Sequence, residues 1–410
     1  MTIVDRSVGK EARPVRAPFG LPRLLAATDP SWESHRRLFG ALPRTGGVEA
    51  VIAELDRAGL AGRGGAAFPT WRKIASASES VRGAIVVANG AEGEPLSAKD
   101  RTLLHRCPHL VLDGLLLVAG TLGASETHLV TTAAQVAPVQ HAIAERRDAA
   151  RVRLRATEDR FVSGEASAVA NAIERTRAIP RDHVVRLTLS GIGGRPTLVL
   201  NVETLAHIAL TLRFGAEWFR SVGTPDDPGT RLLTVARDDG QTVVEAPGGT
   251  TIREALLVGG VDSDTVRAVL VGGYHGTWVG LDALDAPLTS AGLSPWGAAP
   301  GAGILMVLPR GQCGLERTAQ IAAYLAGQSA GQCGPCANGL PEIAAVMGRV
   351  ARRDRDGSLP RRLRELGGLV TGRGACHHPD GTSRMVLSAV DRFERDVHAH
   401  AQGLCQEVGR

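Results

Sequence analysis

Gly59-Leu60-Ala61-Gly62-Arg63-Gly64-Gly65-Ala66-Ala67-Phe68-Pro69-Thr70, with Lys73 just beyond it, is the stretch on which the reading of the fold turns. Upstream, Val48, Val51, Ile52 and Leu55 repeat at helical spacing, and Gly59 provides the stop. Glycines let the backbone approach a phosphate closely, the exposed amides point at its oxygens, and a nearby ammonium neutralises charge. Taken alone, the segment also fits a tight turn carrying solvated basic residues.

Working outward, an apolar strand over 84–88 runs into Asn89-Gly90-Ala91-Glu92-Gly93-Glu94-Pro95 and then Lys99-Asp100-Arg101. Two carboxylates flanking a glycine after a buried strand suit hydrogen bonds to sugar hydroxyls and a carboxamide. A core helix from Leu110, a strand over 128–131, a helix over 133–147 and a strand over 152–156 follow. This alternation predicts a mainly parallel sheet covered on both faces, with ligand loops at its carboxyl edge. Gly223 to Gly229, with two prolines and two aspartates, reads as a linker. Strands over 230–236, 242–246, 266–271 and 304–308 with one helix over 252–258 suit a small α+β module. Helices over 318–326, 341–352, 360–366 and 383–398 suit a C-terminal bundle. The expected division is a partly disordered arm over 1–45, an α/β domain over 46–225, the small module over 226–310 and the helical domain over 311–410.

Composition narrows the function. A net charge of +5 over 410 residues, with arginines scattered, gives no nucleic-acid footprint. Lysine occurs only at positions 10, 73 and 99, which singles out each one. The longest apolar run, 110–124, is broken by Asp113 and is too short for the roughly 20 residues of a membrane span. The first twenty or so residues lack a signal-peptide core and read as disordered, so a cytoplasmic protein without membrane insertion is expected. Six cysteines are too few for a disulfide scaffold, and three of them gather near the C-terminus, which points to metal or cluster ligation.

The glycine loop and the Asn89–Pro95 segment together resemble the NADH-binding 51 kDa-type flavin subunit of respiratory complex I, and related subunits of NAD-linked hydrogenases and formate dehydrogenases. Phe161-Val162-Ser163-Gly164-Glu165 resembles that family's second flavin loop, and Gly194-Arg195-Pro196-Thr197 with Asn201-Val202-Glu203-Thr204 its third. The resemblance, in family order over most of residues 48–400, implies an FMN-binding α/β domain, a β-grasp-like (SLBB-type) module of mainly structural role, and a helical iron-sulfur domain. It implies FMN near Gly62, Arg63, Gly64, Gly65, Lys73, Asn89, Glu92, Gly164, Glu165, Asn201 and Thr204. Glu94 and Phe68 would meet NADH, Glu165 would also face the nicotinamide side, and hydride would pass between cofactors with no general base.

Cys333-Gly334-Pro335-Cys336 with Cys376 resembles the family's 4Fe-4S ligands, except that the first position is Ala330. Three thiolates stand where four are the rule. A 3Fe-4S cluster, a fourth ligand from Ser329, His377, His378 or Cys313, and zinc are all open. Cys107 and Cys405 are expected to have no site role, Cys405 lying in a frayed tail. Four further departures from the family pattern are Ala91, Ala166, Ser76 and Arg186, the last two replacing phenylalanines around the adenine. The expected function is hydride transfer from NADH to FMN, then single electrons through the cluster to a ferredoxin-like or thioredoxin-like 2Fe-2S protein or a quinone-linked acceptor. The alternative is an electron-transfer or assembly subunit that has lost NADH oxidation, or a zinc-stabilised binding protein.

Overall fold

The computed structural model describes residues 22–79, 83–175, 177–182 and 185–407. The expected disorder of the first twenty residues falls outside them. The first half runs α1 (Trp32–Phe39), α2 (Val48–Ala58), α3 (Thr70–Ser78), β1 (Ile85–Gly90), α4 (Lys99–Arg106), α5 (Pro108–Thr121), β2 (Glu126–Thr132), α6 (Ala133–Ala144), β3 (Arg153–Thr157), α7 (Ala166–Arg175), β4 (Thr197–Asn201), α8 (Val202–Phe214) and α9 (Ala216–Arg220). The strands form one parallel sheet in the order β3-β2-β1-β4. Strand periodicity divides β1 between two cores: Val86 and Ala88 pack with α5 and α8, while Ile85 and Val87 pack with Val169 and Ala170 of α7. Both faces are thus covered, as a parallel sheet requires.

Asp113, the charge that breaks the apolar run, sits buried within α5. It accepts from Arg146 (2.7 Å) and Arg213 (2.8 Å) and pairs with His35 of α1 (2.9 Å). Burial alone would raise its carboxyl, but the His35 and Arg146 contacts outweigh this and hold it down at about 2. An apolar helix therefore carries one carboxylate because it ties α1, α8 and the turn after α6 together.

The second half begins with β5 (Thr230–Arg237), β6 (Gly240–Pro247), α10 (Ile252–Val258), β7 (Val266–Val271), β8 (Thr277–Val279), α11 (Ser290–Leu293) and β9 (Ile304–Pro309). Its sheet has the order β6-β5-β9-β7-β8, with β5 and β9 parallel and the other neighbours antiparallel. The expected linker is instead packed: its Gly223 and Pro228 form a bridge, and a Cβ on Gly229 would lie 2.3 Å from the Phe219 ring. The helices α12 (Gly314–Gly327), α13 (Leu340–Ala351), α14 (Leu359–Val370), α15 (His378–Arg392) and α16 (Glu394–Ala401) complete the chain. They share one core with Leu270, Trp278 and Leu308 of the second sheet, so bundle and module are packed together. The single helix expected over 383–398 is two, broken at the buried Phe393, whose backbone is non-helical. Among the described residues no single helix is long and apolar enough to cross a membrane.

Candidate functional site

Four parts of the chain meet around a cavity of about 540 Å³. The first wall is the glycine loop. It closes on itself through Gly62 N–H to Phe68 O (2.9 Å) and Thr70 N–H to Leu60 O (3.0 Å), and the Arg63 N–H donates to Thr204 Oγ1 on α8 (2.9 Å). These ties present Gly64, Gly65 and Ala66 to the cavity. Gly65 holds φ +107, a conformation open to glycine and costly for other residues.

The second wall leaves the carboxyl end of β1. Asn89 Nδ2 donates to Gly164 O (2.9 Å), which joins this wall to the third, the Phe161–Glu165 segment ahead of α7. The two backbones pass so closely that a Cβ on Gly164 would stand 2.5 Å from Ala91 O, and one on Gly93 2.4 Å from Arg160 O. Glu92 accepts from the Asp100 N–H (3.1 Å), the Arg101 N–H (3.2 Å) and the Ser97 hydroxyl, so it caps α4 while facing the cavity. Glu165 caps α7 in the same manner, accepting from the Ser167 N–H (2.9 Å) and the Ala168 N–H (3.0 Å).

A buried charge network forms the floor. Lys99 Nζ lies 2.7 Å from Asp100 Oδ1, 2.9 Å from Glu203 Oε2 and 3.3 Å from Asn201 Oδ1. Asn201 returns its Nδ2 to Asp100 Oδ2 (2.6 Å) and caps α8 through the Glu203 N–H (3.0 Å). Burial would lower the Lys99 ammonium, but Asp100 and Glu203 more than offset it and raise its pKa, so the lysine stays charged. Lys99, Asp100 and Asn201 all line the cavity.

The fourth wall comes from the second sheet. Gly272, His275, Gly276 and Thr277 follow β7, and Gly297, Ala299, Gly301 and Ala302 precede β9. The module was expected to be mainly structural, and its two glycine-rich loops also line the cavity, while the Tyr274 N–H donates to Glu94 Oε2 (2.9 Å). Glu94 is only partly accessible, and burial pushes its carboxyl up to about 8.

Of the residues singled out in the sequence, Gly64, Gly65, Asn89, Glu92, Glu94, Gly164, Glu165 and Asn201 line this cavity. Gly62 and Thr204 stand behind the loop and fix its shape. The Arg63 guanidinium turns away to the carbonyls of Thr230 (3.1 Å) and Pro228 (3.4 Å). Lys73 lies on α3, outside the lining, where burial lowers its pKa. Phe68 is 44% exposed, and Arg186 is exposed. Ser76 Oγ bonds Thr188 Oγ1 (2.8 Å).

Cys376 also lines the cavity, between its glycine walls and the bundle. Cys336 sits in the π-helical turn Pro335–Gly339 that opens α13, and its N–H donates to Cys333 O (3.0 Å). Burial, together with the neighbouring Cys333 and Cys376 sulfurs, pushes the Cys336 thiol up to about 12, and burial raises Cys376 as well. Ligation here would have to displace a proton from each of these buried thiols. Of the fourth-ligand candidates, His378 has both ring nitrogens engaged, by His275 (3.0 Å) and by Leu325 O (2.9 Å). Cys313 is gathered with Cys405 and His400 instead, which also corrects the view of Cys405 as a residue in a frayed tail.

The Nuo51 FMN-binding domain model matches residues 55–210, and the NADH-ubiquinone oxidoreductase-F iron-sulfur binding region model matches residues 316–400. The F subunit of the NADH-quinone oxidoreductase of Salmonella typhimurium is 29% identical over 376 residues, covering 86% of this chain and 84% of that one. Its Escherichia coli counterpart is 28% identical over 374 residues, covering 86% and 84%. An H2-reduced NAD+-reducing nickel-iron hydrogenase matches with a TM-score of 0.81 at 27% identity, over 94% of this chain and 67% of that chain. The air-oxidized form matches with a TM-score of 0.79 at 28% identity, over 86% of this chain. This chain spans 63% of that hydrogenase chain's length. The glycine-walled cavity and the thiols of Cys333, Cys336 and Cys376 fall in the regions that the two models match or between them, and over 86% of its length the chain is similar to the F subunits of NADH-quinone oxidoreductases, with a match to the Nuo51 FMN-binding domain followed by one to the iron-sulfur binding region.

Proposed function

We propose that the chain oxidises NADH with FMN and delivers single electrons, by way of an iron-sulfur cluster at Cys333, Cys336 and Cys376, to a ferredoxin-like or thioredoxin-like 2Fe-2S protein or a quinone-linked acceptor on the cytoplasmic side. The observation that carries this is one cavity whose glycine walls and charged floor reach Cys376. When bound, FMN supplies two-electron acceptance and one-electron release.

The chain's own residues do the holding. Gly64 and Gly65 leave room for a phosphate against main-chain amides, Gly62, Arg63 and Thr204 keep that loop in shape through backbone and hydroxyl bonds, and Lys73 adds charge behind it. Asn89, Glu92, Gly164, Glu165 and Asn201 border the flavin. Glu94, uncharged below about pH 8, offers a hydroxyl donor or acceptor toward a carboxamide. Phe68 covers the adenine side. The cluster takes three thiolates from this chain and is of 4Fe-4S or 3Fe-4S type, with Ser329, His377 or an external group at any fourth iron. We assign 46–225 to the flavin domain, 226–310 to the module, 311–410 to the cluster domain and 1–45 to an N-terminal arm.

The test is anaerobic addition of NADH to the purified yellow protein. Bleaching of the flavin band supports the dehydrogenase reading. A flavin that stays oxidised removes it and leaves the second reading, an FMN-binding electron-transfer or assembly subunit. That reading draws on Ser76, whose hydroxyl is bonded to Thr188 where an aromatic wall is expected, and on the exposed Arg186.

A further inference from the structure

Cys313, His400 and Cys405 come from three separate places in the chain. Cys313 follows β9 and precedes α12, His400 lies in the last turn of α16, and Cys405 lies in the segment after it. Their ligand atoms all fall within 4.8 Å of one another, and Cys313 Sγ is 3.6 Å from His400 Nε2. Cys313 is 5% exposed, His400 is 1% exposed and Cys405 is partly buried. In a tetrahedral site with Zn–S of about 2.3 Å and Zn–N of about 2.0–2.1 Å, ligand atoms stand roughly 3.5–3.8 Å apart. The observed spacing needs a contraction of at most about 1.3 Å to reach that.

The surroundings fit ligation. His400 Nδ1 donates to Val350 O (2.8 Å), which fixes the tautomer and leaves the Nε2 lone pair directed at the sulfurs. Burial raises the Cys313 thiol, and the Leu315 and Glu316 amides at the start of α12 offset part of that rise. Two thiolates and a neutral imidazole balance a divalent cation, so this buried corner would carry no net charge.

We propose that Cys313, His400 and Cys405 bind one zinc-class divalent ion, separate from the Cys333, Cys336 and Cys376 site, and thereby fasten the C-terminal segment to the start of α12. Binding forms two metal–sulfur bonds and one metal–nitrogen bond and releases the two thiol protons to solvent. Water completes the coordination on the side where Cys405 is partly accessible.

The experiment is metal analysis of the full-length chain, purified with its iron and flavin, alongside Cys405→Ala, Cys313→Ser and Cys333→Ser. The wild type should carry about one zinc per chain. Cys405→Ala, at a partly exposed position near the chain end, should lose at least nine-tenths of that zinc while keeping its flavin and iron. Cys333→Ser should lose iron and keep zinc, which separates this site from the cluster. As a measurement that needs no variant, the wild type loaded with cobalt(II) should show thiolate-to-cobalt charge-transfer absorption. Zinc retained in Cys405→Ala, zinc lost in Cys333→Ser, or a zinc-free chain holding a Cys313–Cys405 disulfide would each overturn the proposal.

Discussion

Replacing Lys99 by methionine tests the cavity floor at its most heavily loaded point. The ammonium contacts Asp100 and Glu203, two carboxylates buried with it, and Glu92 adds a further negative charge nearby. Methionine preserves much of the volume and removes the cation that these carboxylates share. Breaking a buried pair from one side costs about 3–5 kcal/mol, because the remaining charge is left without a partner. For a domain of this size each kcal/mol shifts the melting temperature by about 2–4 °C, so a fall of roughly 6–20 °C is expected in the flavin-domain transition. The pH dependence gives the reasoning a second edge. Burial already raises the Asp100 carboxyl above its ordinary value against the pull of Lys99, and without the ammonium it rises further. The folded variant then holds a proton that the unfolded chain has released, so stability is full below the unfolded value of about 4 and declines as pH rises through the raised folded value. The deficit relative to wild type should therefore be small near pH 5 and large near pH 8. Adding Glu203→Gln should recover at least about 1 kcal/mol by removing one orphaned charge. Differential scanning calorimetry across this pH range is the assay. A deficit below about 1 kcal/mol, or one unchanged between pH 5 and 8, would refute the account of the floor.

Two further perturbations address the walls. Gly164→Ala places a methyl 2.5 Å from Ala91 O and must part the second and third walls, so flavin affinity should fall about tenfold or more with the circular dichroism unchanged, as read by fluorescence titration. Because the Glu94 carboxyl is held neutral up to about pH 8, affinity for an anionic dinucleotide should be full below that pH and decline by no more than about tenfold per unit above it. Glu94→Gln should flatten that profile, and calorimetric titrations at several pH values compare the two.

Much of this was readable from residues alone. The alternation of short apolar strands with helices over 84–156 anticipated a doubly covered parallel sheet, because period-2 and period-3.6 patterns report burial directly. The helix over 252–258 was also anticipated, and in the structure a Thr251–Glu254 capping box closes its N-terminus. The strand β4 was not, since Thr197–Asn201 was read only as part of a ligand loop, although four of its five residues are buried. The cavity residues from the module were also missed. Gly272, Gly276 and Gly301 carry no side-chain chemistry, and nothing in a single sequence says that two glycine-rich turns fold over a loop some 180 residues away. Lys99 carried a signal, as one of three lysines in an arginine-rich chain, but its partner Glu203 is distant in sequence and only the fold joins them. Cys405 gave none, because its companions Cys313 and His400 lie at unrelated spacings.

The direct test of the central claim is equilibrium binding of FMN to the purified apoprotein. One FMN per chain should be taken up, with its fluorescence quenched inside the cavity, and the Gly164→Ala variant should need higher concentrations to reach the same occupancy. Apoprotein that is folded by circular dichroism and takes up no FMN at any accessible concentration would contradict the assignment of this cavity.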